Sequence, residues 1–137
     1  MPELSLAKKL KLKPGARAAV ISPPGHYLEE LKHDADIAQT LNGKFDWIQV
    51  FAKNKQELTS LAPKAIAALK PESILWLSFP KGTSRIQTDL TRDKGWESIR
   101  AVDLKFMTLV SVNENWSALA LRPYREGEPR QSFQLGA

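Results

Sequence analysis

The residues best equipped for chemistry lie together in one stretch, Lys81-Gly82-Thr83-Ser84-Arg85, which is followed by Thr88-Asp89-Leu90-Thr91-Arg92-Asp93. Lys81 and Arg85 are cations, Thr83 and Ser84 offer hydroxyls, and Gly82 permits a tight backbone. A helix is expected to begin just beyond them, and the N–H groups and dipole of its first turn favour an anion. This combination suits a phosphate or a carboxylate. The competing reading is that Thr88 or Asp89 caps the helix and the charges are solvated, with Arg92 and Asp93 pairing locally. Gly25 and His26 follow Pro23-Pro24 at a second strand-to-helix turn, which the expected fold brings to the same sheet edge. His26 would serve there as a base or a hydrogen-bond donor. The candidate ligand-binding set is therefore Gly25, His26, Lys81, Thr83, Ser84, Arg85, Asp89 and Arg92.

Other chemistries find little support. The chain of 137 residues has no cysteine, which removes disulfides, thiolate nucleophiles and cysteine metal sites. Neither Ser78 nor Ser84 stands in a G-x-S-x-G elbow. No pair of acids is singled out for glycosidase-type work. The two histidines, His26 and His33, lack the clustered partners of a metal site, so no metal is expected. Gly82-Thr83-Ser84 is no Walker loop, since GxxxxGK[ST] is absent.

A net charge of +5 favours anionic partners. Lys8, Lys9, Lys11, Lys13 and Arg17 lack the interleaved exposed aromatics of a nucleic-acid surface, and a solvated helix face accounts for them. Trp47, Trp76 and Trp116 fall in expected strands and Trp96 on a helix face, so all four are read as core. No apolar run approaches the ~20 residues of a membrane span, and the N-terminus lacks a signal-peptide core. The expectation is a cytoplasmic chain with no membrane partner.

The elements that must position these residues follow from periodicity and punctuation. Leu4, Leu6, Ala7 and Leu10 suit a short helix stopped by Pro14-Gly15. Arg17–Ser22 reads as a buried strand, His26–Lys32 as two helical turns and Asp36–Leu41 as a short strand before the Asn42-Gly43 turn. Phe45–Phe51 is an aromatic and β-branched strand. Asn54 with Glu57 three residues later forms a capping-box pattern. Leu58, Leu61, Ala62, Ala65, Ile66 and Leu69 line one helix face, which Lys70-Pro71 is expected to end. Ile74–Phe79, an unbroken apolar run, predicts the centre of the sheet. A second helix is predicted from about Leu90 to Ala101, with Trp96 and Ile99 inward. Leu104–Val112 and Trp116–Arg122 are joined by three residues only, which requires an antiparallel hairpin. The prediction is one Rossmann-like α/β domain over residues 1–123, a three-layer sandwich. Its sheet is mostly parallel, of five or six strands, and is closed by the C-terminal hairpin. Residues 124–137 are predicted to form a loosely held polar tail.

Three segments resemble class I methyltransferases. Arg17–Ser22 stands where that family's first strand precedes its glycine-rich loop. Phe45–Phe51 resembles its FDxV strand, and Ala67-Ala68-Leu69-Lys70-Pro71 before Ile74–Phe79 resembles its LKPGG turn. The chain to about Pro123 also resembles a family of small bacterial proteins of unknown function. The KTDLTRD-like and ETWSAL-like segments of that family match Gln87–Asp93 and Glu114–Leu119. The first resemblance implies a methyltransferase-like fold and S-adenosylmethionine as cofactor, and the second brings no activity. Three departures argue against the cofactor. Ser22-Pro23-Pro24-Gly25-His26 replaces the GxGxG loop, and its prolines have no N–H to donate. Leu41-Asn42 ends the second strand without the family's ribose-gripping acid. Ala52-Lys53-Asn54 stands where an amino-methylating enzyme carries (Asp/Asn)-Pro-Pro-(Tyr/Phe). The sequence is thus read as a non-catalytic module without a cofactor, binding an anionic small molecule or a protein partner at the Lys81–Arg92 loop. The alternatives are a divergent S-adenosylmethionine-dependent methyltransferase and, behind it, a nucleic-acid-binding accessory protein.

Overall fold

The computed structural model describes residues 6–13, 15–25, 27, 31, 36–81, 90 and 104–129. In chain order these hold α1 (Leu6–Lys9), β1 (Arg17–Ile21), β2 (Asp36–Ala38), β3 (Phe45–Phe51), α2 (Lys55–Ala67), β4 (Leu69–Pro80), β5 (Leu104–Ser111) and β6 (Trp116–Pro123). The six strands form one sheet in the order β2-β1-β3-β4-β6-β5. β1 pairs in parallel with both β2 and β3, and β3 with β4. β6 runs antiparallel to β4 on one side and to β5 on the other. The expected α/β fold with a mostly parallel sheet and a closing hairpin is therefore observed, with six strands. Ile74–Phe79 does lie at its centre, inside β4.

Each face of the sheet buries a different kind of core. One face gathers Ala19, Ile48, Val50, Leu75, Leu77, Leu119 and Leu121 against Leu58, Ala62 and Ala65 of α2. Fully burying a leucine or isoleucine side chain contributes about 1.5–3 kcal/mol, so this aliphatic seam is what holds the helix. The opposite face gathers Trp47, Trp76, Trp116, Phe51 and Tyr27 with Leu10 and Leu31. The polar tips of Tyr27, Trp47 and Trp76 are satisfied internally. Trp47 Nε1 and Trp76 Nε1 both donate to the Leu10 carbonyl, at 2.7 and 2.8 Å. The Tyr27 hydroxyl donates to Gln49 Oε1, and Gln49 Nε2 donates to Ser78 Oγ at 2.8 Å. Such pairing is what makes polar groups tolerable in an apolar layer.

Two local readings are corrected. α2 does not run to Lys70-Pro71: it ends at Ala67, where the Ala68 N–H turns back to Ala65 O, and Leu69 already pairs with Phe45 in the sheet. The register between β3 and β4 then shifts, so that Trp47 meets Ile74. Ser73 closes the intervening excursion, accepting from Lys70 N at 2.7 Å and donating to Phe45 O at 2.6 Å. Pro71, which has no N–H to give a ladder, is accommodated there. The strand expected over Asp36–Leu41 is shorter, ending at Ala38. Of the predicted helix at His26–Lys32, only Tyr27 and Leu31 are described, and both are buried. The helix predicted from Leu90 to Ala101 lies outside the described residues apart from Leu90, which is buried.

Beyond β6 the chain is tied back at Glu128. Arg122 grips Glu128 through two hydrogen bonds of 2.9 and 2.7 Å, and Lys105 Nζ adds a third at 3.0 Å. The Arg125 N–H also donates to Glu128. Together the Arg122 bonds, the Arg125 N–H and Lys105 hold the Glu128 carboxyl well below its ordinary value of 4.5. The residues from 130 onward lie outside the described set.

Candidate functional site: the crevice between β1 and β3

The sheet reverses its direction of growth at β1. The chain adds β2 on one side of it and then returns to place β3 on the other. In open α/β sheets the carboxyl ends of strands at such a reversal leave a crevice between the outgoing loops, and ligands bind there. A cavity of about 680 Å³ occupies this position. Its walls come from the loop after β1 (Ser22 to Gly25), the end of β3, the first turns of α2 and Trp116 at the start of β6.

Each wall has a local cause. Ser22 leaves β1 with φ 57°, a left-handed conformation that side chains rarely adopt, and so turns the chain sharply at the strand end. Pro23 and Pro24 fix the loop beyond it, and the Tyr27 N–H donates to Pro24 O at 3.1 Å. A Cβ added at Gly25 would meet nothing within 4 Å. Phe51 stands between two edge-on aromatic partners, Tyr27 at 4.6 Å and Trp116 at 5.1 Å between ring centres. Asn54 caps α2: its backbone is extended and its Oδ1 accepts from Glu57 N at 2.8 Å. Glu57 answers by accepting from Lys53 N at 3.0 Å, one residue earlier than the reciprocal bond of a capping box. This fixes one oxygen of the Glu57 carboxylate at the cavity wall. Ser60 and Leu61 continue the same wall one turn later.

The sequence-predicted residues divide sharply. Gly25 lines the cavity. Lys81 stands at the same carboxyl edge, since Pro80 pairs with Trp116, but it is committed to the hairpin turn. Its N–H donates to Asn115 O at 2.9 Å and its Nζ to Ser111 Oγ. His26, Thr83, Ser84, Arg85, Asp89 and Arg92 lie outside the described residues. What sequence reading missed is the α2 wall: Lys53, Gln56, Glu57, Ser60 and Leu61. Its one signal was the Asn54–Glu57 cap, which places a helix start and a carboxylate immediately after a sheet strand. The Leu41-Asn42 end of the β2 segment is not among the cavity's lining residues. Among the described residues, no three His, Asp or Glu side chains gather as a metal site would need. Also among them, no helix is long and apolar enough to cross a membrane.

Comparison with known proteins places the fold. No protein-family model matches the chain, and no curated protein matches it. Solved structures do. The M1A22 tRNA methyltransferase TrmK of B. subtilis superposes with a TM-score of 0.56 at 13% identity, covering 94% of this chain and 71% of its own. A protein of the NADB-Rossmann superfamily from Streptococcus agalactiae gives 0.53 at 12% identity, over 96% and 72% of the two chains. The magnesium protoporphyrin IX methyltransferase ChlM of Synechocystis PCC 6803, solved with bound SAH, gives 0.51 at 11% identity, over 80% and 75%. At these identities the likeness is one of fold: a Rossmann-like sheet of the kind used by S-adenosylmethionine-dependent methyltransferases.

Proposed function

We propose that the crevice between β1 and β3 binds S-adenosylmethionine or a closely related adenosyl ligand, and that the domain acts as a divergent methyltransferase. One observation carries this reading: the 680 Å³ cavity sits at the topological switch point of the sheet, where this fold receives its ligand. The lining fits such a ligand through groups other than the family's usual ones. Glu57 offers a carboxylate to hydroxyls, Ser22 and Ser60 offer hydroxyls, and Gly25 offers a backbone N–H that no side chain obstructs. Phe51 and Trp116 supply the aromatic wall, which also favours a cation. S-adenosylmethionine, when bound, supplies the methyl group as a sulfonium electrophile. The chain's own part is to hold the ligand, to orient it through Glu57 and to exclude water with Phe51, Leu61 and Trp116.

A second reading is favoured by Pro23 and Pro24, which leave the β1 loop two N–H donors poorer than a glycine-rich one. In it the same edge holds an anionic small molecule or a protein partner without catalysis, with Lys53 and the Lys81–Arg92 loop as its cations. Thermal unfolding with S-adenosylmethionine, S-adenosylhomocysteine and a panel of nucleotides separates the two. The first reading expects both adenosyl ligands to stabilise the protein by about 2.7 kcal/mol at a hundredfold excess over Kd. It further expects Ser60→Trp, which fills the crevice from an exposed position, to abolish the shift. A flat response to both ligands overturns the first reading, and a shift with phosphorylated nucleotides alone establishes the second.

A further inference from the structure

A second cavity, of about 300 Å³, lies at the opposite, amino-terminal edge of the parallel strands. Three backbone irregularities converge on it. Lys11 is one of two described non-glycine residues with positive φ, at 60°, and the other, Ser22, borders the crevice above. The β3–β4 register breaks between Phe45 and Trp47, where Asp46, Ser73 and Ile74 line the cavity. The β5–β6 register breaks between Phe106 and Thr108, and the residue so displaced, Met107, is exposed and lines the cavity from its far side. Left-handed side-chain residues and strand bulges are costly, and they concentrate where a side chain must be aimed at a ligand.

The charges there are unbalanced. Lys11, Lys13, Arg122 and Arg125 line the cavity together with Asp46 and Glu72. Asp46 is spent on Lys70 at 2.8 Å and on the Arg17 N–H at 3.0 Å, and Arg122 is spent on Glu128. Among the described residues, Lys11, Lys13 and Arg125 have no carboxylate in a salt bridge with them, and Glu72 is the one lining carboxylate set against these three cations. Between these cations the wall is apolar, formed by Ala16, Trp47, Ile74 and Met107. A pocket of this size with an apolar body and a cluster of convergent cations is built for a small ligand of matching character.

We propose that this cavity is a second binding site, separate from the crevice, for a small amphipathic anion. The apolar part packs against Ile74 and Met107, and the phosphate or carboxylate head is held by Lys11, Lys13 and Arg125. Titration with phenyl phosphate, followed through the ¹³C-methyl signal of Met107, tests this directly, since the chain has only one other methionine. Saturable binding that moves the Met107 signal is expected, with inorganic phosphate and phenol each at least about tenfold weaker because each supplies half of the recognition. Lys13→Ala combined with Arg125→Ala weakens phenyl phosphate by about tenfold or more. Lys11→Gly weakens it too while leaving Tm equal or higher, because glycine relieves the left-handed backbone. That pairing distinguishes a ligand-directed lysine from a structural one. Ser60→Trp, which blocks the crevice, leaves this binding intact, so the failure of one site does not imply failure of the other. No saturable binding, an unmoved Met107 signal, or a double variant that binds like wild type overturns the proposal.

Discussion

The two faces of the sheet solve the same burial problem with different chemistry. On the α2 face the side chains are mainly aliphatic, with Phe45 and Phe79 among them, and none carries a polar tip; any set of similar volume would fill the space. On the other face the large residues are aromatic, and the polar tips of Tyr27, Trp47 and Trp76 each have a named partner. The Leu10 carbonyl, receiving two indole N–H groups, locks the segment after α1 to β3 and β4 at one point. Dispersion and burial are non-directional, so the aliphatic face supplies stability. Hydrogen bonds are directional, so the aromatic face supplies register. Tyr27 and Phe51, which support the crevice from below, belong to the face that is fixed in this way.

The contrast is broken most severely by removing both indole donors. Trp47→Phe or Trp76→Phe alone still leaves the Leu10 carbonyl one partner, and each is expected to cost about 1–2 kcal/mol. The double variant orphans that buried carbonyl and should cost about 1–3 kcal/mol more than the sum, read as a coupling energy from chemical denaturation. On the aliphatic face, Leu77→Met keeps volume and should stay under about 1.5 kcal/mol. Equal costs on the two faces would remove the distinction.

A smaller effect is expected where the helix of the aliphatic face begins. Asn54→Ala deletes the acceptor for Glu57 N and should cost about 1 kcal/mol. It also frees Glu57 at the crevice wall, so ligand-induced stabilisation should fall along with Tm. The gentlest test concerns the rim of the aromatic face. Because Glu128 has a lowered folded-state pKa, its stabilisation is complete above its ordinary value of 4.5 and is lost as pH falls through the folded value. Wild-type Tm should therefore decline more steeply below about pH 5 than that of Glu128→Gln, while near neutral pH both curves run flat. Parallel acid limbs would show that the Arg122–Glu128–Lys105 cluster contributes nothing.

Much of the fold was legible because it is written in local periodicity. The apolar run of Ile74–Phe79 pointed to a strand covered on both faces, and the three-residue link Asn113-Glu114-Asn115 could only join antiparallel neighbours. The Asn54–Glu57 spacing gave the start of α2 because a cap is a local bond. Residues 69–73 were not legible. Their conformation depends on Ser73 meeting Phe45 O across the sheet, a bond 28 positions away in sequence.

The candidate site was only half visible for the same reason. Gly25 could be placed at a strand end from its neighbours, but nothing local shows that Lys81 turns to Ser111 while Glu57 stays at the crevice wall. The left-handed backbones of Ser22 and Lys11 carry no sequence signal, since neither is the glycine that such a conformation invites. Composition and spacing determined an α/β domain with a mainly parallel sheet and no cysteine chemistry. Tertiary structure alone decided the strand order, and with it which loops meet at the β1–β3 crevice. It also decided that Lys11, Lys13 and Arg125 line one cavity with Glu72 at the other end. Both outcomes depend on contacts between residues far apart in the chain, which the pattern of near neighbours does not encode.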